Sequence, residues 1–250
     1  IYFYKKTFNM IFFLSPIIIL LFLFQLGCLL DKNKIIDKIE NIEKPIFGIG
    51  ILIFILNIFY FNLNLSIEII AYTIILLFLI SLFIIFYNKT SVIRDYKTII
   101  LINIPILILF AIIGILYGEQ FYIFRGNAHD NFTYLSTGMI FKNYSISDLE
   151  NLNFNKIADS IENHYFNYNI HTIFYRPSVQ LILGFLINLK FFEIGDIVFI
   201  FKIICTNLVI LSSVSLFKEL SYKKNLTVFI AYCFIFSFFY FYNFEIDALS

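Results

Sequence analysis

The sequence predicts an all-α polytopic membrane protein, with about six spanning helices, one short half-inserted helix, and one external loop with juxtamembrane helices. Three observations carry that prediction. Hydrophobic residues make up 60% of the 250-residue chain, against about 45–50% in a soluble domain. Mean hydropathy is +0.87 and charged residues amount to only 14%. The apolar residues also fall into stretches long enough to cross a bilayer, which takes about 20 residues of helix for a core about 30 Å thick. The net charge of +1 leaves no cationic surplus for phosphate contacts, so a nucleic-acid partner is excluded.

In chain order, the predicted spans are Ile11 to Leu30, Ile46 to roughly Asn62, Ile67 to Tyr87, Ile99 to Tyr117, Ile197 to Phe217 and Leu226 to Phe244. Six such segments in one soluble protein would leave almost nothing to cover them. Ser178 to Leu189 is also apolar, but as a helix it reaches only about 18 Å. That segment is expected to be half-inserted or re-entrant. Cys28, Cys205 and Cys233 lie inside apolar segments without metal-ligand spacing and are expected to pack as small apolar residues. The Lys5–Lys6 pair before the first segment, with Leu26-Gly27-Cys28 near its end, also resembles a signal sequence; the further spans favour an uncleaved helix.

Orientation follows from the short basic loops. Lys32, Lys34, Lys38 and Lys44 mark one, Lys89, Arg94 and Lys97 a second, and Lys218, Lys223 and Lys224 a third. All three are expected in the cytoplasm. This places Gly118 to Arg176, the one long hydrophilic stretch, on the periplasmic or exterior side of a bacterial cytoplasmic membrane. Lys5 and Lys6 conflict with that parity. Within the loop, Asn127 is positioned to cap a helix with Asp130 in its first turn. Ser147 and Glu150 form a capping-box pattern for a second helix. Phe154, Ile157, Ile161 and Tyr165 recur at helical spacing, as in a helix lying on a membrane surface. Phosphate-binding glycine loops, HExxH and G-x-S-x-G are absent.

His129-Asp130-Asn131-Phe132-Thr133-Tyr134, soon after a predicted span, resembles the acidic-then-aromatic D-x-x-x-Y pattern of the GT-C superfamily of integral membrane glycosyltransferases, which take sugars from polyprenyl phosphate carriers at the external face. Arg176-Pro177-Ser178 before a short apolar helix is similar to the basic-Pro junction that ends the family's loop, with Ser178 in place of the more usual second Pro. Gly195 followed by Lys202 resembles a third feature, in which Arg is the usual cation. The resemblance covers roughly Ile99 to Ser250, so the chain divides into an N-terminal region, 1–98, and a GT-C-like region, 99–250, containing the loop 118–176. Four helices precede the loop where members of the family often have one. A C-terminal part of the family pattern is missing, and the chain is expected to be a fragment.

The resemblance implies inverting transfer of a sugar from a polyprenyl-phosphate-linked donor to a lipid, glycan or protein acceptor. Asp130 would act as base or acceptor-orienting group. Arg176, with Lys202 and Arg125 beside it, would hold the lipid phosphate, since a guanidinium can donate two hydrogen bonds to phosphate oxygens. His129, Tyr134 and His171 are substrate-binding candidates, and Tyr134, one turn after Asp130, also suits packing. A divalent metal is a possible cofactor, with Asp130, Glu245 and Asp247 as candidate ligands. The competing expectations are a transporter or flippase for lipid-linked saccharides, lined by intramembrane polar groups, and a non-catalytic membrane subunit.

Overall fold

A computed structural model describes residues 10–32, 39–87, 92–117, 130–151, 177–189, 194–220 and 224–235. All regular structure among them is helical. Helix α1 runs Met10–Lys32 and α2 Lys44–Asn57, the latter extended by a π-helical turn over Ile58–Asn62. Then come α3 Ile67–Tyr87 and α4 Val92–Tyr117. The loop region contributes α5 Asp130–Asn143 and α6 Ile146–Asn151. Helices α7 Pro177–Asn188, α8 Ile194–Glu219 and α9 Lys224–Ile235 complete the described chain.

Two helical stretches, Lys44–Asn62 and Ile200–Glu219, are long and apolar enough to cross a membrane. Helices α1, α3 and α4 have 23, 21 and 26 residues. Their apolar cores, where described in full, are shorter: Leu14–Leu30, Ile67–Ile80 and Tyr96–Ile108. The last expected span extends beyond the described residues.

Proline and glycine set the local geometry. Pro45 and Pro177 occupy first-turn positions of α2 and α7, where the missing N–H has no intrahelical partner to lose. Helices α1 and α2 form the most extensive pair. They cross with their backbones touching: a methyl group on Gly27 would strike the Lys44 carbonyl, and one on Gly48 the Leu23 carbonyl. Helices α5 and α7 repeat this arrangement, since a methyl on Gly184 would lie 2.8 Å from the Gly138 carbonyl oxygen. Small residues at such crossings let helices approach without a hydrophobic drive from water.

Two buried apolar clusters result. The larger joins α1, α2 and α3 to α5, α7 and α8 through residues such as Leu23, Leu56, Ile67, Phe141, Leu181 and Ile200. The smaller joins α1, α4 and α8 through Phe24, Ile99, Ile106 and Ile210. Several polar side chains inside these segments bond within their own helices. Asn103, Thr206 and Asn207 each donate to the carbonyl four residues earlier, as Ser212 and Ser213 do. Such local bonding is how a polar side chain is accommodated where water is excluded.

The outside of the molecule is apolar as well. Along α3, Ile69, Tyr72, Leu76, Leu79, Ile80 and Phe83 are 47–73% exposed. A soluble monomer rarely presents so continuous an apolar face.

The two ends of α2 have different surroundings. At its start, the Ser215 hydroxyl of α8 donates to Glu43 Oε1 at 2.6 Å, and Lys218 pairs with Glu40. Lys44 there donates to Asn41 and lies over the Phe24 ring. At the far end, the Tyr60 hydroxyl donates to the Tyr144 carbonyl at 2.8 Å, between α5 and α6. From Lys44 to Tyr60 is about 24 Å of helix. The loop helices α5 and α6 therefore sit at the end of α2 opposite the basic end of α8.

Helix α6 starts earlier than the Ser147–Glu150 pattern predicts. Ser145 precedes it, and the reciprocal pair is Ser145 with Asp148: the Ser145 N–H and hydroxyl both donate to Asp148 Oδ2, at 2.9 and 2.6 Å. Ser147 is turned instead toward Asn64. Hydrogen bonds from Ser145 hold the Asp148 carboxyl below the usual carboxylate range. Because this folded-state value is depressed, its contribution to stability is complete above the ordinary pKa of about 3.9 and is lost as pH falls through the lower folded value. An NMR titration should place the Asp148 midpoint below the ordinary value; a midpoint at or above it would contradict the cap.

Candidate functional site

The candidate site lies at the end of α2 that carries α5 and α6. Asp130 is the first described residue of α5, and the expected cap Asn127 lies outside the described residues. Arg125, His129, Arg176, His171, Glu245 and Asp247 lie outside the described residues, as does the expected amphipathic segment from Phe154 to Tyr165. Among the described residues, no group of three His, Cys, Asp or Glu side chains is placed to hold a metal ion.

Tyr134 is 8% exposed and belongs to the larger core cluster. Its placement fits the packing role. Lys202 lies in α8, eight residues after Ile194, and is 8% exposed. A cation so enclosed in an apolar helix is uncommon and costly to place there. Helix α7, starting one residue before the expected segment, carries nine consecutive buried residues from Gln180 to Asn188. It is enclosed by α5, α2, α3 and α8.

What holds α5 and α6 in place was not legible as a motif. Asn64 adopts φ +54°, a left-handed conformation that Asn tolerates better than most residues. Its Nδ2 donates to Ser147 Oγ at 2.6 Å, and the Ser147 N–H donates to its Oδ1 at 2.9 Å. Beside this clasp, the Tyr60 ring lies 4.8 Å from that of Phe141. The corner between α2 and α3 is thus fastened to α5 and α6 by residues more than 80 positions apart. Asn64→Gly should lose the two side-chain bonds, and Asn64→Ala should cost about 1 kcal/mol more through strain. Thermal unfolding in detergent checks the order; an Ala variant as stable as Gly would contradict it.

Sequence reasoning also passed over several buried amides. Oxygen atoms of Asn103, Gln180 and Asn207, and both polar atoms of the Asn188 side chain, have no hydrogen-bond partner among the described residues. The available signal was a carboxamide within an apolar stretch of spanning character.

A cavity of about 450 Å³ lies between α1, α2, α3, α7 and α8. Among the described residues it is lined by apolar side chains apart from Ser15, and neither Tyr134 nor Lys202 borders it.

No family model, curated protein or solved structure matches the chain.

Proposed function

We propose that the protein is an integral membrane glycosyltransferase that moves a sugar from a polyprenyl-phosphate carrier to an acceptor at the external membrane face. The observation that carries this reading is the two-ended arrangement about α2: Lys218 and Glu40 meet at one end, and α5, headed by Asp130, is clasped to the other. With six spans and α7 half-inserted, the basic end faces the cytoplasm and Asp130 faces the exterior. The exposed apolar face of α3 supports a lipid environment.

In this mechanism Asp130 orients the acceptor hydroxyl and takes its proton while the sugar–phosphate bond breaks. The new bond forms on the opposite face of the sugar carbon, so configuration inverts. Arg176, with Arg125 and Lys202, stabilises the departing phosphate. His129 and His171 bind substrate from the same loop region. Glu245 and Asp247 are the residues proposed to join Asp130 around a divalent metal.

Right-side-out vesicles containing the protein, supplied with a labelled polyprenyl-phosphate sugar and cell-envelope acceptors, should transfer label at the outer face. Absence of transfer in both right-side-out and inverted vesicles would sink the reading. A second reading, a flippase for lipid-linked saccharides, is favoured by the buried amides of Asn103, Gln180, Asn188 and Asn207. It predicts carrier translocation that survives loss of Asp130.

A further inference from the structure

We infer that the cavity between α1, α2, α3, α7 and α8 holds a fatty acyl chain of a bilayer phospholipid. The inference rests on the membrane part of the proposed function and is independent of sugar transfer. At about 450 Å³, the cavity falls within the ordinary range for a ligand site. Its lining is what distinguishes it: among the described side chains from five helices, Ser15 supplies the one polar group. Among the described residues, no set of donors and acceptors is present there to orient a headgroup, a sugar or a phosphate. Water is a poor occupant for the same reason, because a buried water needs two to four polar partners.

Depth and opening define the occupant further. Leu52, on the cavity wall, is eight residues from Lys44 and eight from Tyr60, hence about 12 Å of helix from each end of the rod. Acyl chains, not headgroups, occupy that level of a bilayer. Leu14, Ile18 and Leu79 border the cavity and are 44%, 52% and 55% exposed, so the site opens sideways onto the apolar exterior. Left empty, its walls, including the buried Phe185 ring, would lose dispersion contacts on one side.

The source of the hydrocarbon follows from position and abundance. Helices α5 and α6 contribute no residue to the lining, so the cavity is not built from the element that carries Asp130. An apolar site without orienting groups fills by mass action with the commonest chain around it. In a bilayer, that is the phospholipid acyl chain.

The test uses the full chain in nanodiscs of phosphatidylethanolamine and phosphatidylglycerol, with a trace of phosphatidylglycerol carrying a mid-chain diazirine. Photolysis should label peptides containing residues 14–23 and 74–79. The double variant Ile18→Trp with Leu79→Trp places two large rings at the mouth and should lower this labelling by about tenfold or more. Phe54→Trp, at a 65% exposed position on α2 that does not border the cavity, should leave it unchanged. Equal labelling of all three proteins would overturn the inference. So would wild-type protein without label in those peptides, which would mean that the site is covered by protein, or displacement of the label by equimolar polyprenyl phosphate, which would assign the site to the carrier. Release of the protein from cells by alkaline carbonate without detergent would instead refute the membrane reading itself.

Discussion

Replacement of Asp130 by Asn should lower sugar transfer by about 10²- to 10⁴-fold, the range that a positioned general base contributes. The amide keeps the size of the carboxylate but cannot take a proton from the acceptor hydroxyl. Insertion and folding should be unaffected, because Asn keeps the size and polarity of the residue it replaces. Glu68→Gln is the matched control: Glu68 is an exposed carboxylate in the first turn of α3 and should leave transfer unchanged. Unaltered transfer in Asp130→Asn would remove Asp130 from the mechanism. Lost transfer with lost expression would be resolved by Asp130→Glu, which restores the acid at a different reach and should recover part of the rate.

The largest expected effect on stability comes from Gly48→Val. Its first side-chain carbon would lie 1.8 Å from the Leu23 carbonyl oxygen, while Gly27 faces the Lys44 backbone in the same helix pair. Overpacking in a core typically costs about 1–3 kcal/mol when side chains can shift. Here both obstacles are main chain, so separating α1 from α2 is the only relief, and about 3 kcal/mol or more is expected. Gly50 offers the opposite case. It lies in the same helix, and a methyl group there meets nothing within 4 Å. Gly50→Ala should therefore stabilise by up to about 1 kcal/mol through helix propensity alone. Unfolding in mixed micelles, read by circular dichroism, should show the two variants on opposite sides of wild type. A Gly48→Val protein as stable as wild type would contradict the crossing.

The sequence made the helices legible because, in a chain of this composition, length is the signal. Segments such as Ile67–Tyr87 coincide with their helices, and the short α7 lies one residue from its expected bounds. Packing was less legible, for a physical reason. Helices that are apolar all round carry no periodic stripe to mark the buried face, so nothing in residues 44–57 singles out Gly48 over Gly50. At α6 the pattern Ser147-x-x-Glu150 competed with Ser145-x-x-Asp148. Tertiary contact decided between them, because Asn64, 83 residues away, engages Ser147. Lys202, which is buried in α8, was legible as a cation within an apolar run. The clasp of Asn64 and Tyr60 was not, since one φ value and one hydroxyl bond leave no trace in spacing.

Both the site and the lipid-filled cavity depend on α2 separating two aqueous faces. Asn143→Cys, at an exposed position ending α5, and Lys218→Cys, near the end of α8, can each be made in a chain with Cys28, Cys205 and Cys233 replaced by Ala. A membrane-impermeant maleimide applied to intact cells should label position 143 at once and position 218 only after permeabilisation. Labelling of both positions in intact cells, or of 218 alone, would contradict the account.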